Sequence, residues 1–471
     1  GELAKGAKIA RTLTGKPSLK NPKQFRLIGK SVSRTDALSK VTGSAKFSGD
    51  IKLPGMLHAK ILRPPAHDAR LTNIDTSAAR NVPGLTLVEQ EGLVAVLHED
   101  LETAELYLSK IKASYDIPAV KIDDKTIFDH ILSSAPDGSL VAEGGDVKQG
   151  LQSADVNIES EFKDGYVAHA PMEPHTAVAV LENGKMKIWA STQNPFGLRA
   201  SISEEFKMEQ EDVLVQEVLL GGGFGGKSAN GQAMGAARLA KITGKPVMMA
   251  WTRAEEFFYD TFRPAAVVKI QSGCTKEGRI TGWDYSVYLA GQRGAAHFYN
   301  IPHHKTLAYG TGWTARGVHP FATGAWRAPA NNTNTFARES QIDMMAAKCG
   351  MDPVEFRLKN LTDERMIRTL KAAAEKFGWK KLKMPSGKGI GVACGSDAGS
   401  YVALIGQVKV DKKTGKVVAE RVVVAQDMGL VVNPLGATIQ AESCVIMGLG
   451  YALSETLHFS GGTIHDRNFD S

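Results

Sequence analysis

Gly221-Gly222-Gly223-Phe224-Gly225-Gly226-Lys227-Ser228 lies between an apolar run at 213–220 and a segment carrying Ala233, Ala236, Ala237 and Ala240 at helical spacing. The implied order is strand, glycine loop, helix. Glycines admit positive φ and close backbone approach, so successive N–H groups can converge on an anion. Several patterns are satisfied at once. Gly221, Gly226, Lys227 and Ser228 fit GxxxxGK[ST], the phosphate loop (Walker A) of nucleotide-binding proteins. Gly221, Gly223 and Gly226 fit the dinucleotide fingerprint GxGxxG. A tight strand-to-helix turn that binds nothing is the third reading.

The surroundings weigh against both nucleotide readings. A phosphate-loop hydrolase needs a magnesium-holding aspartate after an apolar strand, and the best candidate, Asp427, lies some two hundred residues away. A dinucleotide fold expects an acidic residue at the end of the next strand. Here the strand predicted at 247–251 runs into Thr252-Arg253.

Outward from the loop, apolar segments at 177–181 and 187–190 flank Glu182-Asn183-Gly184-Lys185, a hairpin signal. Asn194-Pro195 opens a helix with a capping residue and a proline in its first turn, and Leu198, Ile202 and Phe206 form its buried stripe. The helix with Ala233 stops at Gly244-Lys245-Pro246. Upstream, strands are expected at 57–62, 85–88 and 93–97, with helical spacing from 99 to 112. Downstream come a helix at 370–377, strands at 402–410 and 417–424 joined by a turn at 412–415, and a helix at 440–454. The class is α+β. The expected divisions are an extended basic arm (1–37), a small α/β domain (38–118), a linker (119–145), and two further α+β domains (146–365 and 366–471), the last incomplete.

With 471 residues, 43% of them hydrophobic, the chain can bury large cores, and 48 glycines favour a loop-rich mixed protein. The net charge of +7 owes much to Lys5, Lys8, Arg11, Lys16, Lys20, Lys23, Arg26 and Lys30. Without the aromatic pattern of RNA-binding modules, these read as a solvated arm or one lying on the rest of the protein, with no nucleic-acid partner. Cys274, Cys349, Cys394 and Cys444 are far apart and form no zinc or iron–sulfur pattern, and three of them, in small-residue or apolar contexts, read as buried thiols. No apolar run reaches the ~20 residues of a membrane span. The chain opens at Gly1 with neither methionine nor signal peptide, which reads as a processed or excised end.

Ordered motifs then give the loop its meaning. Ala190-Ser191-Thr192-Gln193-Asn194-Pro195, the glycine loop, and Gly324-Ala325-Trp326-Arg327-Ala328-Pro329 follow one another, preceded by Tyr166-Val167-Ala168-His169-Ala170-Pro171-Met172-Glu173-Pro174-His175. Lys40-Val41-Thr42-Gly43 stands near one end, and Asp427-Met428-Gly429, Val432-Asn433-Pro434, Gln440 and Met447-Gly448-Leu449-Gly450 near the other. This series resembles the molybdenum hydroxylases of the xanthine dehydrogenase/aldehyde oxidase family over nearly the whole chain past residue 25. The text around Phe25-Arg26-Leu27-Ile28-Gly29-Lys30 is similar to the isoquinoline 1-oxidoreductase-like branch, although that branch usually ends its glycine loop in arginines rather than Gly225-Gly226-Lys227.

The resemblance implies a hammerhead-like α/β domain followed by two cofactor-binding domains. It implies a molybdenum–molybdopterin cofactor, in the cytosine dinucleotide form, with no protein ligand to the metal. Gln193 would donate its side-chain amide to a molybdenum oxo group. Gly222, Gly223, Phe224 and Gly225 would face the pterin and molybdenum oxygens, with Phe224 on the substrate side, and Arg327 would anchor a second backbone loop. Ser228 stands where purine-hydroxylating relatives carry a glutamate, which argues against purine substrates. His169, His175, His303 and His304 lack HExxH spacing and read as structural or cavity histidines.

The implied reaction is hydroxylation of an aldehyde or N-heteroaromatic with water as oxygen source, electrons leaving through a small iron–sulfur subunit and a c-type cytochrome in a periplasmic enzyme. The family's base glutamate, in a GxGE motif, and an MGQG-like cofactor segment are absent here; Glu173, Glu339 and Glu442 lie in other motifs. The expectation is a site completed by another chain or segment. A phosphate-loop protein and a non-catalytic member of the same fold are the alternatives.

Overall fold

A computed structural model describes residues 12 and 14–470 apart from 91, 314–316 and 381–383. Lys5, Lys8 and Arg11 of the basic arm lie outside the described residues. Lys16, Lys20, Lys23, Arg26 and Lys30 are exposed. The arm touches the body where Gly29 N–H donates to Val432 O (3.0 Å) and Asn433 Nδ2 donates to Val32 O (2.9 Å).

The first layer is a seven-stranded mixed sheet. Its spatial order is Val213–Gln216, Lys185–Ala190, Thr176–Glu182, Val247–Ala250, Leu57–Ile61, Leu93–His98 and Thr86–Gln90. The parallel pairing of Leu57 with Val247 joins the segment read as a separate domain at 38–118 to strands on both sides of the glycine loop. Pro195–Phe206 and Gly231–Thr243 pack on this sheet. Ala233, Ala236, Ala237 and Ala240 have no exposed surface, which lets that helix approach the strands closely.

The second layer is five-stranded, ordered Gly138–Gly144, His303–Tyr309, Ile280–Tyr288, Ala266–Cys274 and Val156–Asp164. The stretch read as a linker at 119–145 therefore carries a helix, Ile127–Ser134, and an edge strand. Nothing local announces that strand, because it is stabilised by pairing with residues some 165 positions later, such as Ala142 with Thr306. Helix Asn331–Lys348 crosses between this sheet and a three-stranded antiparallel sheet, Lys388–Asp397, Ser400–Val410 and Val417–Asp427. Trp283, Tyr285, Ala337, Met345 and Leu370 share its core. The Asn331-Asn332-Thr333-Asn334-Thr335 start, poor in helix formers, hides that helix from a propensity reading.

Other boundaries moved for identifiable reasons. The strand expected at 213–220 ends at Gln216, and Leu219 makes only an isolated bridge to Phe47. The last long helix spans Pro434–Leu453 and starts six residues before the expected position. Asn433 caps it by accepting from Gly436 N–H (3.4 Å), with Pro434 in its first turn. The 370–377 helix begins at Glu364, where Asp363 accepts from Arg365 and Met366 N–H.

Candidate functional site

Two loops meet at the junction of the layers. A Cβ on Gly225 (φ +123°) would lie 1.5 Å from Ala325 O and 3.1 Å from His169 Nε2, so only glycine permits this approach. Gly226 is equally constrained, its hypothetical Cβ 2.3 Å from Asp260 Oδ2. Gly223 packs on Gln193, whose Oε1 would be 2.4 Å from such a Cβ. The structure thus brings Gln193, Gly222, Gly223, Phe224 and Gly225 to the loop that carries Ala325 and Arg327. Ser228 sits at the far end of the glycine loop, exposed, its N–H donating to Gly225 O (3.1 Å).

Gln193 Oε1 accepts from Gly225 N–H at 2.9 Å. Its amide NH₂ has no partner among the described residues and remains a free donor. The backbone N–H groups of Gly222, Gly223 and Phe224, and those of Ala325, Trp326, Arg327 and Ala328, also make no hydrogen bond to any described residue. Two runs of unused donors thus lie on touching loops. Phe224 (φ 54°), Ala170 (44°), Ala328 (60°) and Ala330 (61°) are left-handed although none is glycine. Each such residue costs about 1–3 kcal/mol and persists only where its surroundings over-determine it. Four of the ten such residues described fall on these loops and the neighbouring 166–175 segment.

The loops rest on a buried ionic layer that the sequence motifs did not reveal. His169 Nδ1 is 3.0 Å from Asp260 Oδ2 and its Nε2 is 2.9 Å from Ala325 O. A ring that donates through both nitrogens would be an imidazolium paired with the Asp260 carboxylate. Burial by itself lowers the His169 pKa, but the charge and hydrogen bond of Asp260 and the Ala325 carbonyl outweigh it and hold it above the ordinary histidine value. His175 Nδ1 meets Glu256 Oε1 at 2.9 Å, and the same carboxylate accepts from His175 N–H. His304 Nδ1 faces Ile301 O (2.9 Å), and His303 Nδ1 accepts from Asp146 N–H (2.9 Å). His175, Glu256 and Asp260 place possible ligand atoms within 4.8 Å of one another. Glu256 and Asp260 are already engaged by His175 and His169, so the trio serves as the floor of the glycine loop. Asp260 and Glu256 lie on or beside helix Arg253–Tyr259, far from any glycine motif, and only folding brings them here.

The phosphate-loop reading fails on Lys227. Its side chain is fully buried and its Nζ donates to Glu173 Oε2 at 2.8 Å, which also accepts from Gly221 N–H at 2.7 Å. A phosphate-loop lysine must instead reach the ligand. Burial pulls this ammonium below its ordinary pKa even though Glu173 opposes the shift. The strand before the loop is moreover at the edge of its sheet.

Arg327 also has a structural answer. Its guanidinium donates to Ser443 Oγ (2.8 Å), Gln440 Oε1 (2.8 Å) and Gln440 O (3.3 Å), tying the second loop to helix Pro434–Leu453. Of the three glutamates singled out, Glu173 is held by Lys227. Glu339 accepts from Arg357 (3.0 Å), Arg338 (3.2 Å), Tyr299 (3.1 Å) and Cys394 N–H (2.9 Å). Glu442 is exposed on the last long helix.

Comparison with known proteins bears on this geometry directly. Sequence profiles described as "Molybdopterin cofactor-binding domain" match residues 131–361 and 333–471. One subunit of the nicotinate dehydrogenase of Pseudomonas putida is 26% identical over 99% of this chain, and the beta subunit of the isoquinoline 1-oxidoreductase of Brevundimonas diminuta is 27% identical over 98%. The chain spans 43% and 63% of the length of those two relatives. Among solved structures, the aldehyde oxidoreductase of Desulfovibrio desulfuricans superposes with a TM-score of 0.76 at 16% identity, over 93% of this chain and 73% of that one. Quinoline 2-oxidoreductase of Pseudomonas putida gives 0.67 at 20% identity, over 84% and 62%. The expected α+β class agrees with these folds. The strained loops around Gly225 and Ala325 fall within the first matched segment, the helix that Arg327 grips falls within the second, and the chain belongs to the molybdopterin cofactor-binding family of molybdenum hydroxylases, the xanthine dehydrogenase/aldehyde oxidase type.

Proposed function

We propose that this chain holds the molybdenum cofactor of a hydroxylase acting on an aldehyde or an N-heteroaromatic compound. The observation that carries the proposal is the pair of donor runs, 222–224 and 325–328, held together by the Gly225–Ala325 contact. Their unpaired N–H groups suit the oxygen atoms of a molybdopterin, and the fit requires the glycines. When bound, that group supplies a two-electron oxidation with oxygen drawn from water. Gln193 would present a neutral amide donor at the metal end, stabilising negative charge without giving up a proton. Phe224, left-handed and partly exposed at the loop's tip, would shape the substrate side. Arg327 would hold the second loop against helix Pro434–Leu453, and the His169–Asp260 pair would fix its Ala325 carbonyl.

The cofactor form proposed is molybdopterin cytosine dinucleotide. The proposed partners are a small iron–sulfur subunit, with a c-type cytochrome as acceptor in a periplasmic setting, and a segment bearing the GxGE base and an MGQG-like stretch. Support for that last partner comes from the three-stranded sheet. Between it and helix Pro434–Leu453 lies an apolar cleft of about 1290 Å³, lined by Val402, Leu404, Val422, Val424, Val445 and Leu449. No residue of that helix is buried among those described. Exposed apolar surface on this scale marks an interface, and the occupant we assign is the remainder of the cofactor-binding domain.

The test is metal and nucleotide analysis of the complete native complex. About one molybdenum per complex, with pterin released on denaturation, is expected. Stoichiometric ATP binding without molybdenum would sink the proposal. A complex with no GxGE-bearing component would favour the non-catalytic alternative.

A further inference from the structure

Cys274 and Cys349 stand 75 positions apart in sequence, yet their Sγ atoms are 3.2 Å apart. That is about 1.2 Å more than the ~2.0 Å of a disulfide bond. Cys274 ends the strand Ala266–Cys274, where the ladder shifts register between Gly273 and Cys274. Cys349 caps the C-terminus of helix Asn331–Lys348, with its thiol also 3.5 Å from Thr275 O. Both cysteines therefore sit at the ends of elements, where the backbone is held by terminal hydrogen bonds, Asp155 N–H to Cys274 O and Cys349 N–H to Met345 O, each 3.0 Å. Their exposures differ usefully: Cys274 has no accessible surface, whereas Cys349 is partly open. Cys394 is buried and Cys444 exposed, and neither has a cysteine partner among the described residues.

We infer that Cys274 and Cys349 form an intramolecular disulfide when the protein meets a small-molecule or protein disulfide as oxidant. The Cys349 thiolate attacks one sulfur of the oxidant, forming a mixed disulfide and releasing one thiol. Cys274 then attacks the Cys349 sulfur as its own proton passes to solvent. The Cys274–Cys349 bond forms, the mixed disulfide breaks and a second thiol leaves. Two protein thiols are oxidised and one oxidant disulfide is reduced, with no electrons left over. Burial holds the Cys274 thiol above its ordinary pKa, so closure quickens as pH rises. The product staples the end of a central strand to the helix whose other end directly follows the Arg327 loop. It closes a long loop, the case in which a cross-link restricts the unfolded chain most.

The experiment uses the full native complex, incubated with excess oxidised glutathione, alkylated under denaturing conditions without reductant, and mapped by peptide mass spectrometry. The expected result is one cross-linked peptide pair containing Cys274 and Cys349, with Cys394 and Cys444 alkylated. Reductant should then lower the melting temperature of the oxidised protein by several degrees while leaving that of Cys349→Ser unchanged. Cys274→Ser should form no cross-link and keep a glutathione adduct on Cys349, whereas the double variant should behave as Cys349→Ser does. Alkylation of both Cys274 and Cys349 after the incubation would overturn the inference, and so would a glutathione adduct on Cys349 that never resolves.

Discussion

Gly225→Ala tests the central geometric claim, that the two donor loops must touch. The added Cβ would begin 1.5 Å from Ala325 O and 2.6 Å from Ala325 C, both backbone atoms. A carbon–oxygen contact needs at least ~3.3 Å, so the loops must part by about 1.8 Å. The side chain would also have to tolerate φ +123°, which costs ~1–3 kcal/mol. Overpacking against the fixed Ala325 carbonyl costs a further ~1–3 kcal/mol. The total, about 2–6 kcal/mol, falls on the loops proposed to cradle the cofactor, and each ~1.4 kcal/mol is tenfold in affinity. Molybdenum per purified complex, measured by mass spectrometry, should fall at least tenfold, with a lowered melting temperature. Gly391→Ala is the control, since its Cβ would meet nothing within 4 Å and its φ is ordinary. If Gly225→Ala keeps both the molybdenum content and the melting temperature of that control, the close approach of the loops is not what holds the cofactor and the reasoning fails.

Lys227→Met should cost about 3–5 kcal/mol in urea unfolding, because it strands the Glu173 carboxylate beneath Gly221; a loss below ~0.5 kcal/mol would show the pair to be ornamental. Arg327→Lys should not replace Arg327, since an ammonium cannot span Ser443 and Gln440 together. Faster amide exchange in 434–453 should follow, and unchanged exchange would refute that anchor. Burial, reinforced by neighbouring imidazoles, holds His297 and His319 down at about 4. The unfolded chain takes up these protons first, so stability should be lost as pH falls from ~6.5 towards 4, on the order of 3 kcal/mol per histidine. His169 runs the other way: its pKa is raised, so its contribution is present in acid and lost as pH climbs through the folded value. Thermal unfolding of His319→Gln should show a flatter acid limb; a limb as steep as that of the parent would contradict the assignment.

Much of the architecture was legible because its determinants are local. The Asn183-Gly184 hairpin, the Asn194 cap and the alanine stripe of Gly231–Thr243 are short-range signals, and each element formed where those residues stand. The ordered motifs likewise singled out Gln193, the glycine loop and Arg327, which the fold brings to one junction. What chain order could not contain is what comes to touch. The strand Gly138–Gly144 exists only through a distant partner. Asp260 reaches His169 across 91 positions, and Lys227 turns away from any ligand to meet Glu173. Cys274 finds Cys349 only when helix and sheet pack. Capping, turns and periodicity act within about four residues and are therefore determined by the sequence alone. Burial, ion pairing and the protonation of a buried imidazole depend on what surrounds each group, and only the tertiary structure decides that.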